Sequence, residues 1–243
     1  MTKYRKDIDG LRAYAVIAVI LFHLGYLPHG YLGVDIFFVI SGYLITNIIY
    51  KDIEQKKFSI LQFYERRVRR ILPLLLFITS FALILGLFFM LPDDLENLAQ
   101  TVIASNFSAN NILMLIKSGD YWAIKNEYKP LIHTWSLGVE EQYYIIYPLL
   151  ILGVSKIKLK YVTHFLILSS FISIILFLYF GNPETRFYLL HFRFFELAIG
   201  GLSAVLFQYS SFKHWSINYV FYGSGLSLLM LFFITELGNQ YLV

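Results

Sequence analysis

The sequence predicts an all-α, polytopic bundle of about seven membrane-spanning helices with the N-terminus in the cytoplasm. Three observations carry this. The 243 residues are 58% hydrophobic and 19% aromatic, more apolar surface than a soluble chain of this length hides without exposing large patches. Apolar stretches recur that are long enough to cross about 30 Å of hydrocarbon at about 1.5 Å per residue. The basic residues concentrate in alternate loops, as topology in a bilayer demands.

The spans are placed near Leu11–Leu27, Leu32–Tyr50, Ile71–Leu91, Trp135–Gly153, Tyr161–Phe180, Phe187–Phe207 and Ile217–Leu237. The first has the basic start and apolar run of a secretory signal. It continues as Leu24-Gly25-Tyr26-Leu27-Pro28 with no small-x-small cleavage site, and is read as a retained span. With the N-terminus inside, the inner loops hold Lys3, Arg5, Lys6, Lys51, Lys56, Lys57, Arg66, Arg67, Arg69, Arg70, Lys156, Lys158, Lys160 and Lys213, fourteen in all. The outer side holds five: Lys117, Lys125, Lys129, Arg186 and Arg193.

The segment 92–130 breaks the pattern. Pro92-Asp93-Asp94-Leu95-Glu96 is a good helix start, but Ser105, Asn106, Ser108, Asn110 and Asn111 make its middle too polar for an ordinary span. Counting it as a span would invert every later loop. The expectation is an extracytoplasmic loop with an interfacial helix.

Composition also excludes. The sequence pI of about 9.0 is explained by loop lysines and arginines, so nucleic acid is not expected as a partner. There is no cysteine, hence no disulfide framework, thiolate metal site or cysteine nucleophile. Neither a Gly-rich phosphate loop nor a His-Glu-x-x-His spacing occurs, and no metal site is expected.

Charges inside spans are costly and need a partner, water or a function. Arg12 and His23 are eleven residues apart, which on a helix is about three turns: one face, about 16 Å apart. A cation then lies near the inside and an imidazole in the outer half. Arg12 snorkelling to headgroups and His23 making a structural polar contact are the bland alternatives. The fourth span opens His133-Thr134-Trp135-Ser136-Leu137-Gly138-Val139-Glu140-Glu141-Gln142-Tyr143-Tyr144. His133, Glu140 and Tyr144 fall within about 40° on a helical wheel. Only one of the two glutamates can share that stripe; the other must meet another helix or water. Asp35 and Ser41 in the second span, with Arg193 and Glu196 in the sixth, add polar groups to the outer half, a pattern suited to a buried cavity. Arg193 and Glu196 also have pairing spacing. On the inner side, Arg66, Arg67, Arg69 and Arg70 anchor topology against anionic lipid or bind phosphate.

The chain resembles the bacterial membrane acyltransferase 3 family, in particular its glycan O-acetyltransferase branch. The resemblance is carried by Asp7-Ile8-Asp9-Gly10-Leu11-Arg12-Ala13 with the Arg-x10-His spacing to His23, and by Gly33-Val34-Asp35-Ile36-Phe37-Phe38-Val39-Ile40-Ser41-Gly42. Phe63-Tyr64-Glu65-Arg66-Arg67 through Pro73, His133 through Tyr144, and Thr185-Arg186-Phe187 through Glu196-Leu197 continue it in order. His191 and Phe195 stand where the family pattern has proline and tryptophan.

The resemblance implies a multi-pass protein of the bacterial inner membrane that moves an acyl group, usually acetyl, from cytoplasmic acyl-CoA to a hydroxyl of an envelope glycan, lipopolysaccharide or peptidoglycan among them. It implies acetyl-CoA as a donor substrate and no permanently bound cofactor. On this reading Arg12, Arg66, Arg67 and Arg70 hold donor phosphates, and His23 is general base or nucleophile. His133, Glu140 and Glu141 orient or shuttle the proton. Asp35, Ser41, Arg193 and Glu196 face the acceptor, with Arg193 stabilising negative charge. The family has about ten spans, so residues 1–243 are expected to be an incomplete transferase domain, and many relatives carry a further hydrolase-like outer domain. A proton-coupled transporter or flippase of envelope precursors is the alternative, and a non-catalytic scaffold a third.

Overall fold

The computed structural model describes residues 6–118 and 129–208. Every regular element among them is helical: α1 Lys6–His23, a single 3-10 turn Gly30–Leu32, α2 Gly33–Glu54, α3 Ile60–Phe89, α4 Pro92–Asn106, α5 Asn110–Ser118, α6 Thr134–Ile157, α7 Tyr161–Tyr179, α8 Pro183–Tyr188 and α9 Leu190–Gln208. Four stretches among the described residues, Gly30–Glu54, Ile60–Phe89, Tyr161–Tyr179 and Pro183–Leu206, are long and apolar enough to cross a membrane. Helices α1 and α6 stand where spans one and four are predicted. They are less apolar, because α1 carries Lys6, Asp7, Asp9 and Arg12 and α6 carries Glu140 and Glu141. The predicted span Ile217–Leu237 lies outside the described residues.

Local chemistry sets the ends. Asp7 and Asp9 occupy the first turn of α1, where carboxylates meet the positive end of the helix dipole. Ser59 caps α3, its side chain accepting from the Gln62 amide at 3.5 Å, so α3 starts eleven residues before the predicted apolar run and includes the arginine cluster. Pro92 opens α4, and Asn182 caps α8 by accepting from the Thr185 amide at 2.9 Å. The sixth predicted span is broken at Leu189, whose backbone is extended.

The segment 92–118 lies in the stretch expected to hold an interfacial helix and a loop. It forms two helices, α4 and α5, joined at Ser108, whose φ is +58°. Part of its polar set is buried, namely Thr101, Ser105, Asn110 and Asn111, while Asp93, Glu96 and Gln100 are exposed. Thr101 and Ser105 lie one turn apart with Leu98 on one face of α4, a helical spacing.

The chain divides into two compact bodies. The first comprises Met1–Lys51, Lys160–Tyr179 and Phe194–Val243; the second Asp52–Leu159 and Phe180–Arg193. In the first body, Ala15, Ile36 and Ile40 form a buried cluster joined by Ile8, Leu11, Phe37 and Leu44. Small residues let backbones meet there: a Cβ on Gly33 would lie 2.5 Å from the Ala15 carbonyl oxygen, one on Gly42 would overlap the Leu197 carbonyl, and one on Gly200 the Val39 carbonyl. Backbone approach through small residues is how helices pack where no hydrophobic effect drives them together. In the second body, Tyr143, Tyr147 and Ile151 of α6 are fully buried.

Candidate functional site

The predicted residues divide between the two bodies. In the first, Arg12 and His23 stand on one unbroken helix. Arg12 pairs with Asp9 at 3.8 Å, one turn before it, and its side chain stays partly exposed. His23 is the last residue of α1 and is exposed, its ring edge-on to Phe22 at 5.1 Å. The helix was expected to run on to Leu27. It stops at His23 because Gly25 turns left-handed at φ +78°, and the Tyr26 amide bonds back to the Leu21 carbonyl at 2.9 Å. His23 therefore stands at a helix end. The Phe22 ring also meets Tyr31 at 5.6 Å, and Tyr31 meets His29 at 6.3 Å.

Asp35, in the first turn of α2, and Ser41 are both buried, and Glu196 on α9 is fully buried. Beside Glu196, the Phe195 amide donates to the Ser173 hydroxyl at 3.0 Å, tying α9 to α7. The α2–α9 close approach runs through Gly42 and Leu197, the residues that follow Ser41 and Glu196.

In the second body the arginine cluster separates by face. Arg66 lies 3.7 Å from Asp52 and Arg69 2.7 Å from Glu65, both exposed. Arg70 is exposed as well. Arg67 alone turns inward, its guanidinium 5.5 Å from the Phe63 ring and 5.8 Å from the Tyr144 ring, distances at which a cation is attracted to an aromatic face. The Tyr64 hydroxyl donates to the Ile145 carbonyl at 2.7 Å, so α3 and α6 are held together beside Arg67. Arg193 is buried, 5.8 Å from the Phe187 ring. That ring packs against Trp135, centroids 4.4 Å apart and the planes tilted by 38°.

The α6 motif separates too. His133 precedes the first turn of α6 and is exposed. Tyr144 donates to Glu140 at 3.0 Å. Glu141, about 100° further round the helix, accepts from the Ser108 hydroxyl at 2.6 Å. The two adjacent glutamates thus face different neighbours, as their spacing required.

The sequence reading did not find the polar contacts that join α4 and α5 to α6. Thr134 donates to the Leu131 carbonyl at 2.8 Å, so its oxygen accepts from Asn110 at 2.7 Å and from Ser105 at 2.7 Å. Gln142 donates to the Ser108 carbonyl at 2.9 Å and to Asn111 at 2.8 Å; Asn111 donates to the Tyr188 carbonyl at 2.9 Å. Asn106 donates to Thr79 at 3.2 Å. The same serines and asparagines that argued against a span are its hydrogen-bonding face. The available signal was their helical spacing, 101 and 105 with 98, rather than their polarity. Among the described residues no three histidines or carboxylates gather to hold a metal ion.

Chemically, the second body offers two carboxylates with separate hydroxyl donors and a guanidinium held against aromatic rings. The first offers an exposed imidazole at a helix end and buried carboxylates. A model of the acyltransferase domain family, acyltransferase 3, matches residues 5–242. The peptidoglycan O-acetyltransferase OatA of Listeria monocytogenes is 37% identical over 217 residues, 86% of this chain and 35% of that protein. The O-acetyltransferase OatA of Staphylococcus aureus is 40% identical over 154 residues, 61% of this chain and 25% of that protein. A putative O-acetyltransferase of Staphylococcus aureus is 38% identical over 161 residues, 62% of this chain and 26% of that protein. The chain thus spans about a quarter to a third of the length of these relatives. No solved structure matches it.

Proposed function

The chain belongs to the acyltransferase 3 family, and we propose that it serves a membrane O-acetyltransferase acting on peptidoglycan. The observation that carries this is a family match running from residue 5 to residue 242, with a relative named for peptidoglycan O-acetylation covering 86% of the chain. We place it in the bacterial inner membrane as a multi-pass protein, N-terminus in the cytoplasm, on the distribution of its basic residues.

The donor we propose is acetyl-CoA on the cytoplasmic side. Arg66 and Arg70, exposed and one turn apart, suit phosphate recognition, with Arg12 and Arg67 nearer the helix packing. His23 takes the proton of the attacking hydroxyl or accepts the acetyl group. Glu140 and Glu141, with His133 at the start of the same helix, are assigned to orienting or shuttling a proton. Arg193 offsets negative charge on the reacting carbonyl, and Asp35, Ser41 and Glu196 meet the acceptor glycan.

The test uses membranes containing the full-length protein, supplied with radiolabelled acetyl-CoA from the cytoplasmic side. Label reaching peptidoglycan in wild type and lost in His23→Ala, at equal protein levels, is the expected result. Label that ignores His23 would overturn its assignment. Label entering another envelope polysaccharide instead would overturn the acceptor.

A further inference from the structure

Four described residues close turns at positive φ: Gly25 at +78°, Lys56 at +56°, Ser108 at +58° and Gly181 at +78°. A residue with a Cβ is strained there, and glycine is the ordinary occupant of the position that ends a helix this way. Ser108 ends α4 in that manner, with the Ala109 amide bonded to the Ala104 carbonyl at 2.8 Å and the Ser108 amide to Ser105 at 3.2 Å. Two of the four positions use glycine. Lys56 is exposed. Ser108 is half-buried, and its hydroxyl reaches Glu141 at 2.6 Å.

The elbow is held from the other side as well. Gln142, next to Glu141, grips the Ser108 carbonyl at 2.9 Å and Asn111 at 2.8 Å. A Cβ on Gly138 would come within 2.9 Å of Asn111 Oδ1, so α5 lies close on α6 at this level. Glu141 therefore has one oxygen, Oε2, bound to a donor whose backbone is fixed by the neighbouring residue. Among the described residues no protein donor engages its Oε1.

We propose that Ser108 is a positioning residue for Glu141, and that the α4–α5 elbow belongs to the acetyl-transfer machinery for that reason. One carboxylate oxygen is anchored, and the other is presented for a proton or a substrate hydroxyl. Strain held at a helix end is accepted because the hydroxyl is needed there. This inference rests on the acetyltransferase reading above.

The discriminating variant is Ser108→Gly. It removes the hydroxyl and at the same time relieves the backbone, so a folding defect is not expected. In the full-length protein purified into nanodiscs, the expected result is an unchanged or raised thermal midpoint with kcat for acetyl transfer down at least about tenfold and acceptor KM within about threefold. Ser108→Asn, which tolerates positive φ and carries an amide donor, should recover part of the rate. Transfer by Ser108→Gly within twofold of wild type, roughly the resolution of such kinetics, would overturn the proposal. If wild type transfers no acetyl group, the acetyltransferase reading fails by itself. The positioning claim is then decided by infrared difference spectra, with the Glu141 carboxyl band assigned by Glu141→Gln. A band shifted in Ser108→Gly supports the anchored carboxylate, and an unshifted band removes it.

Discussion

Tyr144 donates its phenol to Glu140 at 3.0 Å, one turn earlier on the same helix, while its ring lies under the guanidinium of Arg67 at 5.8 Å. One side chain thereby connects an arginine of the basic cluster on α3 with a carboxylate of α6. The phenol donates to the carboxylate, and the ring offers its π face to the cation.

Tyr144→Phe keeps the ring and removes the hydroxyl. Acetyl transfer is expected to fall roughly tenfold, as loss of one hydrogen bond to a charged group implies, with little change in thermal midpoint. Labelled acetate in the glycan, measured at matched protein levels, checks this.

The arginines should not respond alike. Arg67→Lys loses a planar cation over two rings, an unfavourable exchange, whereas Arg66 makes a 3.7 Å exposed contact with Asp52 that contributes little. Arg67→Lys is expected to impair both activity and thermal midpoint; Arg66→Lys should leave the midpoint unchanged and act only on the KM for acetyl-CoA. Equal effects on the midpoint would contradict the separation of the cluster by face.

Asn111 is fully buried and bridges α5 to Gln142 on α6 and to the Tyr188 carbonyl. Asn111→Ala removes the donor to that carbonyl and one partner of Gln142, which keeps the Ser108 carbonyl, at about 2–3 kcal/mol. The measurement is chemical unfolding in detergent. A loss below about 1 kcal/mol would mean water replaces the side chain.

Gly200 lies against the Val39 carbonyl and the Tyr43 amide so closely that any Cβ collides with backbone. Gly200→Val is expected to cost at least about 2 kcal/mol by forcing α2 and α9 apart. Gly153, where a Cβ meets nothing within 4 Å, serves as the control, and Gly153→Ala should be neutral or stabilising.

Lys129 lines a cavity with Asp94, Asn97, Thr101 and Lys117, and burial holds its ammonium below the ordinary lysine range. A lysine with a folded pKa below its unfolded one binds its proton more weakly in the native state. The cost is fully present at neutral pH and is relieved as pH rises through the folded and then the unfolded value. Lys129→Gln should therefore raise the thermal midpoint slightly at pH 7, with the difference closing in alkaline buffer. A difference that widens with pH would contradict the assignment.

Much of this molecule was legible in one dimension. Apolar runs of span length fix where helices stand in a chain that must satisfy its backbone internally, and α2, α3, α7 and α9 fall on four of the predicted spans. The adjacency of Glu140 and Glu141 already required two different partners, since neighbours on a helix point about 100° apart. The family motifs are contiguous stretches and need no fold to be seen.

What the sequence could not decide is which partners. Ser105, Ser108, Asn110 and Asn111 count only as too polar for an ordinary span, because composition does not distinguish a side chain facing water from one facing another helix's hydroxyl. Only the packing of α4 and α5 on α6 turns them into the donors that hold Thr134, Gln142 and Glu141. The same holds for Arg67, which is one arginine among four in the sequence and the one that turns inward in the fold. Helix positions follow from local hydropathy; the direction of a polar side chain follows from which neighbour satisfies it, and that neighbour is distant in sequence.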